Sequence, residues 1–215
     1  MKNENLDLIL IAISVLLLLA FYSFLPSSVA LHWNYLNVPD FYASKLWLFI
    51  FPVLMIISFF VMRKFPHIRG LKEAHEFVNY HYSEFVSFVI LFLLYVEGVV
   101  LLSNLYFSAF SISDFILPAF SVFFYWSGSN MQKLKRNHWI GIRTPWTVKS
   151  DKVWKKTHEE GAKLFKVLSI IFMLSLFISN PAYQWMVALF SLIVVAVVLI
   201  LFSFFDFQSK GLKAI

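Results

Sequence analysis

The chain contains no cysteine. That excludes disulfides, thiolate metal sites and a cysteine nucleophile. Charge is also scarce. Asp, Glu, Lys and Arg make up 14% of the 215 residues, against roughly 25% in soluble domains. Hydrophobic residues reach 60% and mean hydropathy is +0.75. A soluble fold with so little polar surface could not cover itself. The apolar residues fall in long blocks, and uncharged blocks of about 18 residues or more read as bilayer spans. No small-x-small cleavage site follows the first run, which therefore reads as a retained span rather than a signal peptide.

The expected fold is all-α, a polytopic transmembrane bundle of about six helices. The spans are Leu8–Leu25, Leu46–Met62, Phe85–Leu102, Phe115–Met131, Leu164–Ser179 and Tyr183–Phe205. Pro52 inside the second predicts a kink, and Pro118 near the start of the fourth is tolerated there. A barrel is excluded, because its strands need about ten alternating residues and these runs do not alternate.

The loops set the orientation. Residues 63–84 carry Arg63, Lys64, Arg69 and Lys72, residues 132–166 carry ten lysines and arginines, and the tail carries Lys210 and Lys213. The alternate loops, 26–45, 103–114 and 180–182, hold only Lys45. The positive-inside rule puts the first group in the cytoplasm. Both termini are then cytoplasmic, and the chain is a multi-pass protein of the cell membrane whose first partner is the lipid bilayer. The net charge of +6 is thus explained by topology, and no direct binding of nucleic acid is expected.

Two loops stand out. The external one, 26–45, contains His32, Asn34 and Asp40 among Trp33, Tyr35, Phe41 and Tyr42. Such aromatics suit the headgroup level. The loop reads as an interfacial cap, or as a polar recognition site for an extracytoplasmic ligand. One histidine with one aspartate is too small a donor set for a metal site, and no cofactor is expected.

The cytoplasmic loop runs Asn137-His138-Trp139-Ile140-Gly141-Ile142-Arg143-Thr144-Pro145-Trp146-Thr147 and continues from Ser150 to Gly161. Gly141 permits a turn closed to other residues and Pro145 fixes the next bend. Arg143, between Trp139 and Trp146, can grip a phosphate or carboxylate bidentately or stack on an indole. Ser150 reads as an N-cap with Asp151 in the first turn. Asp151, Trp154, Thr157 or His158, Gly161 and Phe165 then follow helical spacing. An amphipathic surface helix is expected to lead into the fifth span, with Lys152, Lys155 and Lys156 facing outward. The segment reads as an interfacial anchor, or as a binding surface for a cytoplasmic partner or lipid headgroup. It shows no nucleophile–base–orienter set, so no enzymatic role is expected.

The run from Asn137 through Gly141-Ile142-Arg143-Thr144-Pro145-Trp146-Thr147, followed by Asp151, Trp154, Thr157-His158 and Gly161, resembles the signature of the SdpI family. The loop with Pro26, His32-Trp33-Asn34, Pro39-Asp40 and Lys45 resembles the short N-terminal domain that often accompanies it. The resemblance divides the chain into a two-span region with the external loop (1–65), a central two-span region (66–131) and an SdpI-like region (132–215). It implies an immunity and signal-transducing membrane protein. The best-known member protects its producer from a secreted peptide toxin and recruits a small DNA-binding repressor at the cytoplasmic face.

Glu97 lies well inside the third span. An ionised carboxylate at that depth costs roughly 2.5–3.5 kcal/mol or more. It should face the bundle and be paired, hydrogen-bonded or protonated, with Gly98 beside it allowing close helix contact. Asn104, Asp114 and Asn130 lie near span ends and need no special role. Three functions compete on the sequence: an immunity protein or ligand sensor, a small proton-coupled transporter using Glu97, and a membrane enzyme. The third lacks a catalytic set, and the second lacks the paired discontinuous helices of inverted-repeat transporters.

Overall fold

The computed structural model describes residues 3–64, 75–106, 111–136 and 140–211. Among these the chain forms six α-helices and one two-stranded hairpin, in two compact units, Met1–Ile116 and Leu117–Ile215.

The first unit holds α1 (Glu4–Phe21), β1 (Ser28–Trp33), β2 (Pro39–Ser44), α2 (Ile50–Lys64) and α3 (His75–Leu105). Along α1, Asp7, Leu10, Ile11, Ser14 and Leu18 are buried, which is the spacing of a single helix face. Leu8, Ile9, Leu16 and Leu19 on the other faces stand exposed. Helices α1 and α3 run parallel. Near the start of α1, Asp7 accepts a 2.5 Å bond from Ser87 Oγ; near its end, Leu18 packs with Val100 and Leu101. Helix α2 runs against both: Leu48, just before it, joins the Leu18 cluster, while Met55 and Phe59 join Leu10, Ile11, Val86 and Ile90.

The helical bundle stands as expected, but the segment between α1 and α2 is more than a loop. It is an antiparallel hairpin, with Ser28 opposite Ser44 and Trp33 opposite Pro39. Its turn is closed by Asn34, whose Oδ1 accepts the Leu36 and Val38 amides at 2.9 and 3.1 Å. Asn37 supplies the left-handed residue at φ 61°, a conformation asparagine tolerates. Pro39 opens β2, where a missing N–H is harmless. The hairpin is docked by Asn104 of α3. Its Oδ1 accepts the Ala30 amide at 2.7 Å and its Nδ2 donates to the Ala30 carbonyl at 3.0 Å. The side chain expected to need no role thus anchors a strand. Lys45 Nζ donates to the Tyr22 and Leu25 carbonyls at 2.9 and 3.3 Å, satisfying acceptors freed where α1 ends.

The two prolines also sit differently from expectation. Pro52 follows a 3-10 turn (Lys45–Phe49) and lies in the first turn of α2, where its missing N–H has no helical partner to lose. That removes the cause of the expected kink. Pro118 lies inside its helix rather than near the start.

The second unit contains most of α4 (Ser113–Met131), then α5 (Asp151–Leu174) and α6 (Pro181–Ser209). Ser150 caps α5 by accepting the Val153 amide, and Asn180 caps α6 by accepting the Ala182 amide, with Pro181 in the first turn. Surface helix and fifth span form one continuous helix. The core joins Leu117 and Phe124 of α4, Leu168 and Phe172 of α5, and Ala188, Val195 and Leu199 of α6. The Phe124 ring meets those of Phe172 and Phe165 edge-on, at 5.0 and 5.6 Å. Ser121 Oγ donates to the Ser169 carbonyl at 2.7 Å, linking α4 to α5.

Four stretches are long and apolar enough to cross a bilayer: Glu4–Phe21, Lys45–Met62, Ser83–Leu105 and Pro181–Ser209. Helices α4 and α5 fall outside that set. Serine, asparagine and glycine dilute the end of α4, and the first half of α5 is charged.

Replacing Asn104 by alanine removes the bonds that hold Ala30. Stability in detergent should fall by about 1–3 kcal/mol, and the Ala30 amide should exchange faster with deuterium. Unchanged melting and unchanged protection would show that the hairpin is held by something else.

Candidate functional site

The described residues of the SdpI-like signature gather at one end of the second unit, against the start of α5 and the end of α6. Gly141 adopts φ +122°, a conformation open essentially to glycine. A methyl at this position would collide with His158 Nε2 and lie 3.0 Å from the Trp154 ring. This close approach lets the Ile142 amide donate to His158 Nε2 at 3.0 Å. The other ring nitrogen, Nδ1, donates to the Trp154 carbonyl at 2.8 Å. One nitrogen accepts and the other donates, which defines a neutral imidazole. The ring stacks on the Trp154 indole, centroids 4.1 Å apart and planes 19° from parallel. Trp154 in turn donates from Nε1 to the Leu134 carbonyl at 2.7 Å. His158 and Trp154 are 1% and 2% exposed, so both face protein rather than lipid.

After Gly141 the chain closes on Thr144 and Thr147. Thr147 Oγ1 accepts the Thr144 amide at 2.9 Å and donates to the Ile142 carbonyl at 2.8 Å. The Thr147 amide donates to Thr144 Oγ1 at 3.2 Å. Thr144 Oγ1 donates to Ser203 Oγ of α6 at 3.0 Å, and Ser203 Oγ in turn donates to the Ile200 carbonyl at 2.8 Å. Trp146 leans on Phe204, with ring centroids 5.0 Å apart. Gly161 is buried where a side chain would strike Ile142 Cδ1 and approach Met131 Sδ. The turn is therefore wedged between α4, α5 and α6.

Ion pairs frame this packing. Asp206, 5% exposed on α6, accepts from Lys156 of α5 at 2.7 Å and also from Lys210. Lys156 is exposed, as expected; its ammonium also ties α5 to α6, and the Asp206 carboxylate holds its pKa above the ordinary value. Arg136 Nε donates to Asp151 at 2.5 Å and its Nη1 to the Val148 carbonyl at 2.7 Å. Lys152 and Lys155 are exposed, as expected.

Of the signature residues, Gly141, Thr144, Trp146, Trp154, His158 and Gly161 are thus brought together. Pro145 and Arg143 lie on the outer side of the turn, exposed. Arg143 has no hydrogen-bond or ion-pair partner among the described residues. Thr157 is fully buried, with Oγ1 unpartnered. Asn137 lies outside the described residues, as do His138 and Trp139. Sequence reasoning missed Ser203 and Asp206. Asp206 directly follows the sixth apolar run, and nothing local to Ser203 sets it apart from other span serines.

The other candidates separate into two places. His32 and Asp40 meet across the hairpin at 2.5 Å, exposed, while Asn34 is engaged in the turn itself. Glu97 is fully buried, and neither carboxylate oxygen has a hydrogen-bond partner. The expected pairing or hydrogen bond is therefore absent. Gly98 meets no neighbour within 4 Å, so the close helix contact expected there is not formed. No group of three or more histidine, aspartate or glutamate side chains able to hold a metal occurs among the described residues.

Apolar side chains stand exposed along α1, α2, α3 and α6, including Leu16, Ile57, Leu91, Phe190, Ile193 and Val197. Contiguous apolar surface on this scale is not tolerated in water. Together with the four helices apolar enough to cross a bilayer, it defines a helical membrane protein, which also carries a polar knot at the start of α5 and the end of α6. Residues 133–203 match the SdpI/YfhL protein family, and residues 9–56 match a domain of unknown function, DUF1648. The chain is 30% identical over 173 residues to the immunity protein SdpI of Bacillus subtilis (strain 168), covering 80% of each. The chain belongs to the SdpI family. No solved structure matches it.

Burial lowers the pKa of His158, opposed in part by its bond to the Trp154 carbonyl. In the unfolded chain the ring titrates near an ordinary ~6.5. Below that value the unfolded state binds more protons than the folded one, so stability falls as pH falls; above it the contribution is fully present. Melting in detergent should therefore drop between pH 7.5 and 5.5, and His158→Gln should flatten that slope while lowering the pH 7.5 midpoint. An equal slope in the variant would exclude His158 as the source.

Proposed function

We propose that the chain is a six-span immunity protein of the cell membrane, with both termini cytoplasmic. It counters a toxic peptide arriving at the outer face and reports through the 140–161 platform to a cytoplasmic regulator. The kinship with an immunity protein over most of both chains supports the first part. The charge distribution supports the orientation, since the basic residues fall in alternate loops. Helix direction alternates within each unit, as successive spans require. The hairpin then lies outside, with Tyr35, Leu36, Phe41 and Tyr42 exposed to meet an amphiphilic peptide or the headgroup layer.

One observation carries the reading of the platform. Thr144, Thr147, Trp154 and His158 are engaged in holding the turn, whereas Arg143 is exposed upon it and has no partner among the described residues. A rigid turn presenting a single free guanidinium is suited to recognising a carboxylate or phosphate on a partner. That partner is a small DNA-binding repressor, by the family's precedent. The signal is a shift between two populated arrangements of the bundle.

The absence of cysteine makes topology directly testable. A membrane-impermeant maleimide applied to intact cells should label Tyr35→Cys and leave Lys152→Cys untouched until the cells are opened. The reverse pattern would overturn the orientation. In cells sensitive to the peptide toxin countered by the characterised family member, the wild-type chain should restore growth. Arg143→Ala should reduce survival to the empty-vector level with unchanged protein in the membrane. Full protection by Arg143→Ala would remove the platform from the mechanism.

A further inference from the structure

The first unit contains a second polar locus that the platform does not use. Glu97 on α3 is 0% exposed and both its oxygens lack partners. Ser14 on α1 is likewise 0% exposed with its hydroxyl unpartnered. The two interact across the α1–α3 contact, short of hydrogen-bonding geometry. Three orphaned oxygens therefore converge in an apolar interior. Leaving buried polar atoms unmet is costly, and leaving a buried charge unmet is costlier.

No described charge is available to neutralise Glu97. On α1, Asp7 lies two turns from Ser14 and is engaged by Ser87. The stretch Phe51–Met62 of α2 has no titratable side chain. On α3 itself, Tyr95 donates to the Phe115 carbonyl and Glu84 is a further acid. At the hairpin end, Lys45 is occupied by the Tyr22 and Leu25 carbonyls, and His32 is paired with Asp40. A metal cation is poorly served, because three oxygens fall short of the shell that hard cations take. A proton needs no such shell. Bound to one Glu97 oxygen, it turns an acceptor-only group into a donor that Ser14 Oγ can accept, while the Ser14 hydroxyl remains free to donate.

We propose that Glu97 and Ser14 form a proton-binding site within the first unit, with Glu97 carried as the neutral acid and its proton joining α3 to α1. This does not depend on the immunity reading. Gain of the proton closes α1 on α3. Its loss leaves a bare carboxylate that loosens that contact.

The test uses the full-length purified protein in detergent. Dicyclohexylcarbodiimide, a small hydrophobic reagent selective for protonated carboxyls, is followed by peptide mass mapping. Infrared spectroscopy in parallel records the C=O stretch of protonated carboxyls. Glu97 is expected to be labelled at neutral pH, where an ordinary glutamate of pKa ~4.3 is ionised. Glu97→Gln should fold, lose the label, and lose one protonated-carboxyl band that Asp7→Asn and Glu84→Gln retain. Ser14→Ala should shift the frequency of that band, as removal of its acceptor requires. Identical infrared spectra for wild type and Glu97→Gln at neutral pH would overturn the proposal. So would disappearance of the band on replacing potassium by sodium at constant pH and ionic strength, which would make the site one for sodium.

Discussion

Backbone groups in an apolar setting must find their partners within the chain, and the details of this fold follow from that. Helices meet the requirement internally, so the pressure falls on their ends and on every break between them. Lys45 reaches back to the carbonyls at the end of α1, and Asn104 pairs both polar groups of Ala30 in β1. Gln184 donates to the Ile178 carbonyl before α6, and Asn180 caps that helix. The polar side chains of this chain are few, and many are engaged in closing backbone.

The 140–161 platform is the same solution at higher density. A turn that leaves helical geometry at Gly141 exposes amides and carbonyls, and two threonines and a histidine take them up. The cost is that His158 must be neutral and Gly141 must remain glycine. The return is a turn held against three helices, with Arg143 on its exposed side. Glu97 and Ser14, and Thr157 within the platform, are exceptions that the same requirement exposes, since their side-chain oxygens are buried without being met.

Much of this was legible in the sequence where the signal was local. The apolar runs marked α1, α3 and α6, Ser150 marked a helix start, and Gly141 marked a turn. The family signature pointed to the residues that the fold brings together. The hairpin was not legible. Its strands are six residues long, its burial alternates only in part, and its aromatics read equally well as interfacial anchors. Asn34 was open to a reading as a recognition residue because a polar residue in a loop carries no mark distinguishing a turn-closing amide from a free one. Asn104, Ser203 and Asp206 were passed over because their partners lie tens of residues away.

The sequence by itself determined that the chain is a helical membrane protein, because transfer of long apolar segments from water is a sum over residues and needs no knowledge of neighbours. It determined the caps and the obligatory glycine turn for the same reason, each being a matter of a few adjacent residues. Tertiary structure alone decided which polar groups are satisfied. Whether Lys156 pairs with Asp206, whether Asn104 is idle or holds a strand, and whether Glu97 has a partner depend on which helix faces meet. Hydrogen bonds and buried charges act only at contact distance, and contact is what the linear chain does not record.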